Sequence, residues 1–199
     1  MISFFTMTQN NPNHKGFTLI ELLVVIAILA ILSVVVILTL NPSQLLKQSR
    51  DSQRVYDMST FRKAITLYIT DVGSPSIGSV NTCYGSSIAT PGASGCGGRM
   101  TANTVVTTTA ALAASTTGAG WIPINFASLS IGAPIGSLPL DPTNNATYFY
   151  SYATNASIQF EINANMESTR YSASGTNDME SNDGGNNATV YELGTNLTL

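Results

Sequence analysis

Histidine and tryptophan each occur once in this chain of 199 residues, cysteine occurs twice, and only 10% of the residues are charged. The one histidine, His14, precedes the first apolar run, so everything beyond it lacks the commonest general base and a frequent metal ligand. Cys83 and Cys96 have no C-x-x-C spacing, and no histidine is at hand to complete a zinc site. They read as a disulfide closed outside the cytoplasm, with two free buried thiols as the alternative. Eight Lys and Arg against eleven Asp and Glu give a net charge of −3, which does not suit a nucleic-acid binder. Six of the eight bases precede residue 71 and eight of the eleven acids lie at Asp71 or beyond. The distal part is therefore acidic, and it is rich in Thr, Ser, Asn and Gly, as a surface in water is.

What the chain does have is one long apolar run. From Phe17 to Leu40 nearly every residue is apolar, and about 20 such residues in a helix cross the ~30 Å hydrocarbon core of a bilayer. Its single charge, Glu21, lies inside the run and not at its flank. A secretory signal would have a shorter apolar core closed by a small-residue cleavage site, which is missing here. A plain anchor fits the length, but a carboxylate within it costs about 2.5–3.5 kcal/mol on insertion scales and has no use there. A third reading cuts the chain between Gly16 and Phe17. The new α-amine of Phe17 would then lie one helical turn from Glu21, or meet Glu21 of a neighbouring subunit.

Lys15-Gly16-Phe17-Thr18-Leu19-Ile20-Glu21 resembles the processing site of type IV pilins and of the pseudopilins of type II secretion. The resemblance implies a prepilin peptidase and methyltransferase that cuts after Gly16 and methylates Phe17. It also implies assembly with copies of this chain and other pilins into a helical filament, on an inner-membrane assembly platform. It predicts a single-pass inner-membrane protein with its head outside the cytoplasm, in a filament that is periplasmic or at the cell surface. Flanking charge alone points the other way, since Lys47, Arg50 and Arg54 outweigh His14-Lys15. The resemblance overrides it, because a leader cut by a cytoplasm-facing peptidase begins inside.

The expected organisation is a leader over residues 1–16, a membrane and assembly helix over 17–40, an amphipathic continuation over 41–72 and a globular head over 73–199. Pro42 predicts a kink, with the helix resuming through Val55, Met58, Phe61, Ile65 and Tyr68 on one stripe. Arg50, Asp51, Arg54, Asp57, Arg62 and Lys63 fall largely on the other faces, and Asp71-Val72-Gly73-Ser74-Pro75 stops the helix. Residues 73–103 read as a Gly/Ser/Thr loop carrying both cysteines, and 104–115 suits strand or helix equally. Residues 120–142, with four prolines, predict an ordered loop with a short helix near Phe126. Period-two alternation then predicts antiparallel strands, each with one buried face, around Tyr148–Tyr152, Ile158–Ala164 and Val190–Leu193. The fold class is α+β and resembles the pilin layout, a long kinked N-terminal helix packed on a C-terminal antiparallel sheet.

Asp178, Glu180 and Asp183 cluster oxygen ligands in a Gly-containing loop. Major pseudopilins resemble this in having a Ca²⁺ site near the C-terminus, while a solvated acidic loop is the alternative. Beyond that ion no cofactor is expected. Asn145, Asn155 and Asn187 each open an Asn-x-Ser/Thr pattern. No catalytic group is assigned, and Glu161 and Glu167 read as solvated side chains on a strand and its exit, so the chain is not expected to be an enzyme. The main expectation is a structural filament subunit. Its rival is a minor pilin for DNA uptake or adhesion, which the scarcity of bases beyond residue 71, only Arg99 and Arg170, opposes.

Overall fold

The computed structural model describes residues 16–87, 95–102, 104–107, 109 and 112–199. The leader expected over 1–16 lies outside these apart from Gly16, as do residues 88–94 of the cysteine loop. The chain divides into two compact units, one ending at Pro42 and one spanning Ser43–Leu199.

The first unit holds helix α1, Leu19–Leu40. Its stretch Leu19–Ile37 is long and apolar enough to cross a membrane, and its residues are exposed. Apart from Glu21, its polar side chains Ser33 and Thr39 donate to the carbonyls of Leu29 and Val35, so the helix leaves no hydroxyl unpaired along its length. It ends at Asn41, whose φ of 41° and ψ of 74° are left-handed. Helix α2, Pro42–Asp71, begins immediately afterwards. The interruption expected at Pro42 thus falls on Asn41. Asn tolerates the left-handed region, and proline as a first helical residue has no N–H to lose.

In the second unit α2 buries Met58, Phe61, Ala64, Ile65 and Tyr68, as its apolar stripe predicts. The stripe runs on towards the N-terminus through Arg54 and Asp51, also buried with Asp57, and not through Val55. Placing these charges on the other faces was incorrect; the spacing 54, 58, 61, 65, 68 puts Arg54 in line with the core. Phe61 meets Trp121 edge-on at 5.2 Å and Tyr150 at 6.2 Å. Around them pack Ile122, Ile124, Phe126, Leu138, Tyr152, Phe160 and Ile162. The proline-rich segment is held in order by backbone bonds from Trp121 to Ala113 and from Leu138 to Ala114, and by the Trp121 indole N–H donating to Pro139. The short helix expected near Phe126 is a single 3₁₀ turn, Phe126–Ser128.

The sheet has five strands, β1 Thr82–Gly85, β2 Thr104–Thr107, β3 Ser151–Thr154, β4 Phe160–Ala164 and β5 Tyr191–Gly194, in the order β2-β1-β3-β4-β5. All neighbours are antiparallel except β1 and β2, which are parallel. Two sequence expectations need correction here. Residues 73–103 are not all loop, because β1 arises within them, and Cys83 sits in this strand and not ahead of the sheet. Nor does each strand have one wet face, since every residue of β3 and β4 is buried. One face lies on α2, and the other is covered by Cys96, Met100, Ala102 and Phe149. Covering the second face leaves Ser151, Glu161 and Asn163 buried, so polarity in the sequence did not mark exposure.

Candidate functional site

The N-terminal site is built from four residues. A side chain at Gly16 would meet nothing within 4 Å among the described residues, and Phe17 is 90% exposed. Thr18 caps α1, its hydroxyl accepting the Glu21 N–H at 3.2 Å. In return one Glu21 carboxylate oxygen accepts the Thr18 N–H at 2.8 Å and its hydroxyl at 2.7 Å. This reciprocal capping box satisfies backbone donors that a helix start otherwise leaves bare. The sequence carried its signal, Thr-x-x-Glu at the head of an apolar run, although Thr18 was not singled out. Glu21 is therefore held on the first turn, one helical turn from the Phe17 backbone.

In the head a buried ionic cluster fastens α2 to two loops. Arg54, fully buried, bonds Asp141 through two nitrogens at 2.7 and 2.8 Å, Asp51 at 2.8 Å and Glu167 at 2.6 Å. Arg50 also pairs with Glu167. Asp51 accepts the backbone N–H groups of Glu167 and Ser168, both at 2.8 Å, and Asp141 accepts those of Thr143 and Asn144. Burial works against ionisation of Glu167, but hydrogen bonds from Arg50, Arg54 and Thr143 hold its carboxyl down to about 2. Beside the cluster Tyr150 donates to Asp57 at 2.7 Å, and burial pushes both groups up. Arg99 is buried as well, donating to the carbonyls of Phe149 and Thr147 and stacking 3.5 Å over the Phe149 ring. Nothing local in the sequence announces this cluster, because its partners lie far apart in the chain. Reading Glu161 and Glu167 as solvated was wrong, for Glu161 is 1% exposed and the Glu167 side chain 5%.

Cys83 and Cys96 form a disulfide with Cα atoms 5.9 Å apart. Both are fully buried, not in an exposed loop, and Cys96 sits in a left-handed turn at Gly95–Gly98.

The three carboxylates considered for Ca²⁺ are directed to separate tasks. Asp178 accepts the N–H groups of Ser174, Glu180 and Ser181, and its bonds from Ser181 help hold it down to about 2. Glu180 accepts those of Met166 and Ala173, and Asp183 those of Gly185 and Glu192. Among the described residues no three His, Cys, Asp or Glu are grouped to hold a metal ion. A calcium ion needs six to eight converging oxygens, so the set as placed does not fit it. The Asn-x-Ser/Thr patterns likewise mark turns, with Asn145, Asn155 and Asn187 accepting the N–H two residues on.

A family model described as the prokaryotic N-terminal methylation motif matches residues 11–37. No curated protein and no solved structure matches the chain. The matched stretch contains Gly16, Phe17, the Thr18–Glu21 capping box and most of α1, and with the α+β head beyond it the chain carries the N-terminal methylation motif characteristic of type IV pilins and pseudopilins.

Proposed function

We propose that this chain is a structural subunit of a type IV pilus or type II secretion filament. It is cut after Gly16, methylated at Phe17, stored as a single-pass protein of the inner membrane and polymerised through α1 with copies of itself and other pilins. The observation that carries this is α1 itself, an exposed apolar helix with a carboxylate on its first turn, inside the methylation motif. Glu21 sets the register. A subunit entering an apolar helical bundle brings a cationic Phe17 amine that needs a carboxylate, and a neighbour's Glu21 supplies it. The buried Cys83–Cys96 disulfide supports a head outside the cytoplasm. A DNA-binding tip role is disfavoured, because Arg99 is buried against carbonyls and Arg54 among carboxylates, out of reach of phosphates.

Replacing Glu21 by Ala tests this. The protein should be processed to begin at Phe17, by intact mass, and reach wild-type membrane levels, while sheared filaments disappear. An uncompensated buried amine costs about 3–5 kcal/mol at each contact. Thr18→Ala is the control, since it removes the cap, worth about 1 kcal/mol, and keeps the carboxylate; its filaments should persist. Normal filaments from processed Glu21→Ala protein would refute the register role.

A further inference from the structure

On the face of the sheet turned away from α2, two buried carboxylates lie side by side, and neither has an ion pair among the described residues. The β4–β5 register places Asn163 opposite Glu192 and Glu161 opposite Gly194, so Glu161 and Glu192 are diagonal neighbours on that face. Each is 1% exposed. Glu161 accepts the Leu199 N–H at 2.9 Å, and Glu192 accepts the Asn187 N–H at 2.9 Å. The other Glu192 oxygen, Oε1, is buried with no hydrogen-bond partner among the described residues. Gly185 is pressed onto this carboxylate, since a Cβ there would lie 1.9 Å from Glu192 Oε2.

Among the described residues, the groups facing the pair are acids or neutral donors. Asn163 of β4 donates to Glu161, Asp183 approaches from the loop before β5, and the Asn186 and Asn187 backbone closes the side. Arg99, the cation of the covering segment, has its guanidinium on Phe149, Thr147, Asn165 and Ser151 instead. Two ionised carboxylates side by side on one face, out of water and without a counter-charge among the described residues, repel strongly, and one of them must take up a positive charge.

We propose that Glu161 and Glu192 bind one proton between them and act as a pH-sensitive latch that fastens Leu199 and the 185–187 turn to the sheet. The proton comes from solvent and rests on either carboxyl, whose O–H then donates to the other. Burial pushes Glu161 up to about 7 and raises Glu192 as well. Because the folded value lies above the ordinary one, the latch's contribution is complete below the usual carboxylate range. It falls as pH rises and is lost above about 7.

The test is hydrogen exchange and infrared spectroscopy on the full chain in detergent, with Glu161→Gln and Glu192→Gln beside wild type. After correction for intrinsic rates, protection of the Asn187 and Leu199 amides should fall roughly tenfold between pH 6 and pH 8. A protonated-carboxyl band should fade over the same interval. Either glutamine variant supplies a permanent neutral donor and should flatten the dependence. Wild-type protection that does not change between pH 6 and 8, or no protonated-carboxyl band at pH 6, would overturn the latch. So would a dependence that survives in both variants, or protection at pH 8 restored by calcium chloride alone, which would make the bound charge a metal ion.

Discussion

Replacing Arg54 by Met is the sharpest perturbation the head offers. Met matches the length of the aliphatic stem and fills much of the volume, so the change is mainly electrostatic. In the native head Arg54 and Arg50 face Asp51, Asp141 and Glu167. Without Arg54 three acids share Arg50 alone, which bonds only Glu167. Asp51 and Asp141, both nearly or fully buried, keep their backbone N–H partners but lose their counter-charge. Breaking a buried pair in this way costs about 3–5 kcal/mol. For a unit of this size that lowers the unfolding midpoint by roughly 6–20 °C. The assay is thermal unfolding of the detergent-solubilised full chain, followed by the near-ultraviolet signal of buried Trp121, which packs on Phe61 one turn of α2 away from Met58. Asp141→Asn should cost less, about 1–3 kcal/mol, because Arg54 retains Asp51 and Glu167. An Arg54→Met protein within 1 kcal/mol of wild type would mean that the cluster does not fasten α2 to its loops.

Acid should loosen the same cluster: with Glu167 held down to about 2, its contribution is complete above the ordinary carboxylate range and is lost as pH falls towards 2, which a pH series of the same unfolding assay reads. Replacing Cys83 and Cys96 together by Ala, which opens a bridge spanning 13 residues, should cost about 3 kcal/mol, and peptide mapping of native protein should find the two cysteines linked; alkylation of both would contradict it. Gly194→Ala would place a Cβ 2.1 Å from the Phe160 carbonyl, forcing β4 and β5 apart, and should lower stability by about 1–3 kcal/mol.

The sequence by itself determined the membrane-length helix, the site around Gly16, Phe17 and Glu21, the apolar stripe of α2 and the existence of β4 and β5. These are local properties: an apolar run, a motif of fixed spacing and two periodicities are all written within a few turns of chain. The capping box between Thr18 and Glu21 was equally local. What only the tertiary structure decided depends on residues far apart in the chain. Arg54 finds Asp141, 87 residues on, and Glu167, 113 residues on. The four-residue strands β1 and β2 exist because they pair with each other and β1 pairs with β3, and so short a stretch has no periodicity of its own to announce it. The second face of the sheet is dry because Cys96, Met100 and Phe149 fold over it and Leu199 and the 185–187 turn close its edge, so that Glu161, an apparent surface acid, is buried beside Glu192. Polarity in a sequence reports the cost of burying a residue, and whether that cost is met depends on partners that only the folded chain brings together.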